Sequence, residues 1–295
     1  MNQTWLKSFV LLVFIQMNGQ VNEFQNKIQF QYGVAPSLGK HQMETYEYGM
    51  GKTFQALGMP SSFRVDYLNS RFTYFEVSSI TDVAVYERLH LVDFQIETTK
   101  DFSNGWNVLF HLNPQLSSNF STGLGAEDVI LGFGLGISKK WNKSALTLGL
   151  ERSTTLGRPQ LLPFMRYYQK INESVNLQLG FPHSCIEYLV DQRHKIAVHS
   201  MAEGNYYNIT GSSYFTELGD ISDSKLNFSS FNFSLEHQYK IQPNITTITQ
   251  IGLLANNRLV VEKSNGDSLF TFNTNESIYF SMGLQFNLNK NENDQ

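Results

Sequence analysis

Residues 278–288 read Ile-Tyr-Phe-Ser-Met-Gly-Leu-Gln-Phe-Asn-Leu, so that apolar side chains alternate with polar or small ones along the whole stretch. Side chains at every second residue lie on one face of a β-strand, and this period of two predicts a strand with one apolar face. Residues 129–139 read Val-Ile-Leu-Gly-Phe-Gly-Leu-Gly-Ile-Ser-Lys and alternate in the same way, with glycine filling most of the second face. Together the two stretches predict a sheet that is apolar on one side.

The period of two recurs along most of the chain after residue 20. Clusters of Asn, Asp, Ser and Gly separate the predicted strands, and Asn-Gly supplies the positive φ angles that tight hairpins need. Successive strands are therefore predicted to be antiparallel neighbours, and the polar stretch 203–225 is predicted to be a loop. Clear further strands are predicted at 28–34, 106–112, 146–150, 175–181 and 231–235, and weaker ones near 63–75, 83–98, 160–170, 194–209, 245–254 and 258–263.

The composition differs from that of an ordinary soluble domain. Charged residues make up 16% of the chain, against roughly 25% in an average soluble domain, while Phe and Tyr number 23 and 14. The net charge is −4 and Lys and Arg do not cluster, so no nucleic acid partner is predicted. The single cysteine, Cys185, excludes a domain held together by internal disulfides.

Two folds accommodate alternating strands of this kind, a soluble periplasmic β-sandwich and a transmembrane barrel. A strand that crosses the bilayer needs about 9–11 residues, with apolar side chains outside and polar or small ones inside. Both quoted stretches have this length, and a sheet in hydrocarbon must close on itself because every backbone N–H and C=O has to be paired. Aromatic clusters near the predicted strand ends are interpreted as interfacial girdles: Phe72/Tyr74/Phe75, Tyr167/Tyr168, Tyr206/Tyr207 and Tyr214/Phe215.

The sequence therefore favours an all-β fold, a single antiparallel up-and-down transmembrane β-barrel of about twelve strands, with a range of about ten to fourteen. Residues 1–19 have the features of a cleaved signal peptide: a basic start ending at Lys7, an apolar stretch and a short polar segment. The apolar stretch is too short for a membrane helix, which needs about 20 residues. The predicted organisation is a signal peptide at 1–19, an outer-membrane barrel at 20–288 and a polar tail at 289–295.

Three features together resemble an uncharacterised outer-membrane β-barrel family of Bacteroidetes bacteria, known as a domain of unknown function. These features are the signal followed by Gln20, the glycine-alternating stretch 130–137 and the later Leu-Gln-Leu-Gly-Phe-Pro at 177–182. The resemblance covers most of residues 25–288 and implies a barrel of roughly ten to fourteen strands without catalytic residues. The chain departs from many such barrels in that Phe286 is followed by a polar tail rather than ending the sequence.

The glycine run Gly132-Phe-Gly-Leu-Gly136 superficially suggests a nucleotide-binding loop. Such a loop must follow a strand and open a helix, whereas these glycines alternate with apolar residues inside a predicted strand. Glycine on the inner face instead makes room for neighbouring side chains or permits curvature. No cofactor is predicted.

Four potential metal ligands lie in one short span: His183, Cys185, His194 and His199. Imidazole and thiolate suit zinc or copper, but the spacing matches no known closed site. If this segment forms a hairpin, two of the four meet, although single polar residues in a lumen or a loop explain them more simply. No metal site is therefore predicted.

The charged and amide residues of the polar face indicate which face of the sheet points into the barrel. Glu151, Glu236 and Gln238 fall opposite apolar neighbours and are predicted to point inward, because a charge facing lipid near the midplane costs about 2–4 kcal/mol. They either set the selectivity of a pore or belong to a plug of paired Arg, Glu and Gln. Catalytic sites are not predicted, since the sequence contains no Gly-x-Ser-x-Gly elbow and no zinc-protease helix motif. A Ser–His pair contributed by separate strands, for example with His111 or His237, stays open as an alternative.

The expected function is that of an integral outer-membrane protein, either a narrow passive pore or a closed structural barrel that displays surface loops. The protein is predicted not to be an enzyme. Its expected partners are outer-membrane lipid, the barrel-insertion machinery during assembly and small solutes. The alternatives are a lipid-modifying enzyme with a Ser/His pair on the barrel wall, and a soluble periplasmic β-sandwich that binds a ligand.

Overall fold

The structure is a computed structural model and describes residues 26–75, 80 and 83–288. Nearly all of these residues lie in antiparallel strands joined by short turns, and three one-turn 3₁₀ helices occupy Ala84–Tyr86, Ser103–Gly105 and Ala126–Asp128. The strands are β1 (Lys27–Ala35), β2 (His41–Ala56), β3 (Met59–Tyr74), β4 (Arg88–Asp101), β5 (Trp106–Ser118), β6 (Val129–Lys140), β7 (Ser144–Ser153), β8 (Gln160–Lys170), β9 (Val175–Phe181), β10 (His183–Leu189), β11 (His194–Phe215), β12 (Gly219–Gln242), β13 (Ile245–Glu262), β14 (Ser268–Phe272) and β15 (Ser277–Asn287).

Fourteen of the described strands form one closed ring. Each strand from β1 to β13 pairs with the next, β13 also pairs with β15, and β15 pairs with β1. The short β14 pairs with the upper part of β13, and β15 pairs with the lower part. The last position of the ring is therefore occupied by β14 above and β15 below. The predicted all-β barrel is thereby confirmed, and its fourteen strands stand at the upper limit of the predicted range.

The outer face of the ring carries the apolar half of the alternating pattern. On β6, Phe133, Leu135 and Ile137 are 44%, 59% and 57% exposed, and on β15 Phe280 and Met282 are 44% and 66% exposed. In a sandwich these side chains would meet across two stacked sheets and be buried. An apolar belt around a closed ring of paired strands is the arrangement that a bilayer requires.

A charge placed on this belt tests directly whether the outer face of the barrel contacts lipid. We expect Leu135→Arg to lower the free energy of unfolding by about 2–4 kcal/mol, because the guanidinium would face acyl chains near the midplane. The matched control is Gln31→Arg, which faces the lumen opposite Glu47 and should change stability by less than about 1 kcal/mol. Urea unfolding in lipid vesicles measures both values, and equal effects of the two substitutions would argue against a lipid-facing belt.

The ring has two different ends. The end that holds Lys27 and Asn287, called the lower end, has short turns such as 57–58 and 243–244. The opposite, upper end has longer connections, and there β11 and β12 extend far beyond their neighbours. No helix in the described part of the chain is long and apolar enough to cross a bilayer.

The upper end contains the main differences from the sequence prediction. The stretch 203–225, predicted to be a loop, belongs to the long hairpin of β11 and β12. The predicted girdle residues Phe72, Tyr207 and Phe215 are at most 4% exposed and lie in a buried core instead of at headgroup level. The predicted signal peptide and the predicted polar tail at 289–295 lie outside the described residues.

Candidate functional site

The polar half of the alternating pattern lines the lumen. The Nε2 amide of Gln238 donates a hydrogen bond to Glu236 Oε1 at 2.7 Å, and Glu151 Oε2 lies 3.5 Å from His111 Nε2. Both carboxylates are on the inner face of the ring, as the sequence predicts. The alternation therefore separates a lipid-facing surface from a polar interior, strand by strand.

Charges in the lumen are largely arranged in ion pairs. Arg64 Nε donates to Asp66 Oδ2 at 2.6 Å, and its Nη2 atom lies 3.6 Å from Glu47 Oε1. On the other side of the ring, Lys195 Nζ donates to Glu187 Oε1 at 2.7 Å. Pairing lowers the cost of holding these groups away from bulk water. This arrangement fits the predicted network of paired charged and amide side chains.

The network leaves a cavity of about 390 Å³ between β3–β5 and β7–β10. Arg64 and Arg166 contribute cationic groups to its lining, and Glu97 and Glu151 contribute acidic ones. His111 lies between the two carboxylates, since it pairs across the strands with Glu97 and contacts Glu151. The lumen therefore holds a polar space with both signs of charge on its walls.

The glycines of β6 and β7 make room for large side chains that lie against the inner surface of the barrel wall. A Cβ atom on Gly134 would stand 2.2 Å from His111 Cε1, and one on Gly149 would stand 2.3 Å from Phe164 Cε1. Any larger residue would push these two rings into the cavity. This packing is the role that the sequence analysis assigns to the glycine run, which lies entirely within strand β6.

Above the lipid-facing belt, the upper parts of β1–β4 and β11–β14 enclose an apolar core, and we call this region the collar. Phe72 of β3 and Phe228 of β12 come from distant positions of the ring, yet their ring centroids are 6.0 Å apart. Tyr86, Tyr207 and Leu226 are at most 1% exposed within the same core. Each large apolar side chain buried here contributes about 1.5–3 kcal/mol. The collar thus closes the upper mouth with packed side chains.

The collar is narrower than the barrel because strand β10 does not extend into the upper part of the ring. The last β10–β11 pair joins His183 to Met201, and above it the edge of β11 is free of β10. There β11 forms a parallel bridge with β5 at Asn208 and Ser118, and Asn119 N–H donates to the Asn208 carbonyl at 3.2 Å. Strands β6–β10 are therefore left out of the upper ring.

An ion pair between a partly exposed arginine and a buried carboxylate ties the β7–β8 connection to the collar. Arg158 Nε donates to both carboxylate oxygens of Glu262, at 2.8 and 2.9 Å, and its Nη2 group donates to the Gly266 carbonyl at 2.7 Å. Glu262 is fully buried and also accepts a hydrogen bond from Asn227 at 3.0 Å. Arginine in this geometry orients the carboxylate as well as neutralising it.

A second polar contact ties the β5–β6 connection to the hairpin. Asp128, which is fully buried, accepts a hydrogen bond from Asn208 Nδ2 at 2.7 Å, and Lys225 Nζ donates to Asn208 Oδ1 at 2.9 Å. Burial by itself raises the pKa of the Asp128 carboxyl. The hydrogen bonds from the Gly125 N–H, Asn208 and Ser118, together with the Lys225 charge, outweigh it and lower this pKa overall.

This lowered pKa predicts how collar stability depends on pH. A carboxyl whose pKa is lower in the folded state stabilises the fold above its unfolded value, about 3.9, and that contribution is lost as the pH falls through the folded value. At pH 7 we expect Asp128→Asn to destabilise the protein by about 1–3 kcal/mol. The difference from wild type should shrink below about pH 4. Unfolding measured at pH 7, 4 and 3 tests this, and a difference that does not change with pH would contradict it.

Four of the seven histidines form two pairs that the sequence could not separate. His194 and His237 stack on the outer face near the lower end, where His194 Nδ1 and His237 Nε2 are 3.0 Å apart. His183 and His199 lie on the lumen face together with Cys185. Of the four potential metal ligands in the sequence, the structure therefore brings three together and leaves His194 apart.

The other histidines contact aromatic, amide or acidic side chains. Tyr67 OH lies 2.7 Å from His90 Nδ1, and Asn69 is the second partner of that nitrogen. His41 packs its ring against Tyr74. None of these contacts is a Ser–His pair, so they provide no observation that favours the lipid-modifying enzyme.

Arg158, Glu262 and Asp128, which tie the connections to the collar, have no motif in the sequence. A usable signal does exist for the collar itself, because Tyr207 and Ile209 alternate on β11 and Leu226 and Phe228 alternate on β12. These short alternations are hidden among polar residues that occupy the other face of the hairpin.

A closed antiparallel ring with an apolar outer belt and a polar lumen defines the class of bacterial outer-membrane β-barrels. Within that class, the chain belongs to the family described as a domain of unknown function (DUF6268), whose model matches residues 55–287. No curated protein matches the sequence.

Several solved outer-membrane barrels are similar to this chain. The KdgM porin in complex with disordered oligogalacturonate is 7% identical with a TM-score of 0.40, covering 89% of this chain and 99% of that chain. The NanC porin is 10% identical with a TM-score of 0.38, covering 88% and 100%. The Acinetobacter baumannii outer membrane protein Omp33 is 9% identical with a TM-score of 0.41, covering 91% and 100%.

Proposed function

We propose that this protein is a narrow outer-membrane pore for small hydrophilic solutes, and that the collar closes its outer mouth in the conformation described here. The observation that carries the proposal is the polar cavity in the lumen, with Arg64 and Arg166 on one part of its lining and Glu97 and Glu151 on another. A barrel filled only for structural reasons would gain more stability from apolar packing than from buried charges. Polar walls favour passage of hydrated solutes.

The orientation of the pore follows from the two ends of the ring. Bacterial outer-membrane barrels have short turns on the periplasmic side and longer loops outside the cell. The collar lies at the end with the longer connections, so in our proposal it faces the exterior. Residues 1–19 act as the cleaved export signal in the same proposal, and outer-membrane lipid surrounds the apolar belt.

A structural barrel that displays the collar is the second candidate, and the packed mouth is the observation that favours it. Planar-bilayer recording distinguishes the two candidates. In the proposed pore, the wild-type protein gives rare and brief current steps, because conduction requires displacement of the collar. A permanently filled barrel gives no steps, even after the collar has been removed.

Charge substitution in the cavity provides an independent test of the pore. Arg166→Glu should shift the reversal potential in a salt gradient toward cation selectivity, because it replaces a positive group of the lumen lining by a negative one. Arg193→Glu, in the turn between β10 and β11, is the matched control outside the cavity. Equal reversal potentials in wild type and Arg166→Glu would show that ions do not pass this lining.

A further inference from the structure

The three potential metal ligands on the lumen wall lie where β10, β11 and β12 run side by side. Cys185 and His199 are directly paired residues of β10 and β11, and His183 lies two residues before Cys185 on the same face of β10. One donor atom from each of the three lies within 4.8 Å of the other two. Ordinary antiparallel pairing thus places two imidazoles and one thiol around a common point.

The spacing of these donors approaches that of a bound metal ion. Zn²⁺ binds nitrogen at about 2.0–2.1 Å and sulfur at about 2.3 Å, which separates tetrahedral ligands by roughly 3.3–3.8 Å. His183 Nε2 and His199 Nδ1 are 3.0 Å apart, and Gln178 Nε2 lies 3.2 Å from His183 Nδ1. The contact with Gln178 holds the His183 ring in place from the side away from His199.

The second ring nitrogen of His199 faces a carboxylate on the neighbouring strand. Glu236 Oε2 of β12 lies 3.8 Å from His199 Nε2. This His199 nitrogen is buried and has no hydrogen-bond partner among the described residues. When His199 binds a metal through Nδ1, its Nε2–H points toward Glu236, and a carboxylate in that position is the usual outer partner of a metal-bound imidazole. Cys185 is buried as well, and His183 lines the cavity, which provides a polar route to the cluster.

We propose that His183 through Nε2, Cys185 through Sγ and His199 through Nδ1 bind a soft or borderline metal cation such as Zn²⁺, with Glu236 as the outer partner that orients the His199 ring from its Nε2 side. Two imidazoles with one thiolate are a donor set that suits Zn²⁺ and copper and does not suit Mg²⁺ or Ca²⁺. Binding converts the Cys185 thiol into a thiolate and releases its proton to solvent, and no electron is transferred. The site is independent of whether the lumen conducts.

The test is a metal titration of the folded full chain in detergent under reducing conditions. Zn²⁺ followed by calorimetry should bind with one equivalent per chain, and Co²⁺ should give the charge-transfer absorption of a thiolate ligand. Cys185→Ser should abolish that absorption and weaken Zn²⁺ binding by at least about a hundredfold, because even residues that only support metal ligands affect affinity by about 10–100-fold. His199→Ala should weaken Zn²⁺ binding to a similar extent.

His194→Ala provides the matched control, because it removes a histidine from the stacked pair on the outer face. It should leave Zn²⁺ affinity and the Co²⁺ spectrum unchanged. Heat-modifiable gel migration verifies that every variant is folded. The proposal is overturned if the folded wild-type protein takes up no Zn²⁺, if Cys185→Ser binds Zn²⁺ as tightly as wild type, or if only His194→Ala reduces binding.

Discussion

Replacing residues 206–227 by Asn-Gly should turn a barrel with rare current steps into one that conducts continuously. The deletion removes Tyr207 and Leu226 from the collar core, and the new two-residue turn joins Asn205 to Phe228, which are partners across β11 and β12. The remaining part of the ring keeps its strand pairs, so the polar lumen would open to the outside. Single-channel recording in planar bilayers measures the fraction of time in the conducting state.

A smaller deletion separates the effect of the collar from that of a shortened hairpin. Replacing only residues 216–218, which form the tip of the hairpin, by the same Asn-Gly turn leaves the core side chains in place. This control should behave like wild type in the bilayer and migrate in the same heat-modifiable manner on gels. If the large deletion is folded and still passes no current, the lumen is filled by other side chains and the pore proposal fails.

Arg158→Ala should raise the open probability of the collar by roughly 30- to 150-fold, which corresponds to about 2–3 kcal/mol. The reason is that Glu262 is fully buried and would lose its only cationic partner in the described contacts, keeping the amide of Asn227. We place the value below the 3–5 kcal/mol typical of a broken buried pair, because the Arg158 side chain is partly exposed. Recording of open probability at fixed voltage provides the measurement.

A double-mutant cycle with Glu262→Gln shows whether the ion pair itself is responsible. The neutral amide removes the buried charge, so the double variant Arg158→Ala/Glu262→Gln should be considerably less open than Arg158→Ala alone. Lys263→Ala, next to Glu262 in the chain, is a control that should leave the collar closed. Additive effects of the two substitutions would mean that Arg158 acts without Glu262.

Much of the barrel could be predicted because its physics acts one strand at a time. A strand such as Ser277–Asn287 faces lipid on one side and a polar lumen on the other, so the alternation of side chains reports the environment directly. The sequence analysis did not predict strand β2, because its apolar side chains lie on the outer face in the belt and on the inner face in the collar. Tyr48 and Met50 point outward at the belt, whereas Met43 is buried in the collar core.

The sequence by itself determined the all-β class and the inward position of Glu151 and Glu236, because both follow from a local period of two. Its turn residues predicted the antiparallel order, and the length of its strands favoured a closed barrel over a sandwich. Only the tertiary structure decided the closed mouth and the grouping of His183, Cys185 and His199. The grouping of the three ligands depends on the hairpin register that pairs Cys185 with His199. The closed mouth depends on where strands end relative to one another, because β10 does not extend above His183 and leaves the edge of β11 free for β5. Contacts between residues so far apart in the chain leave no periodic trace in it.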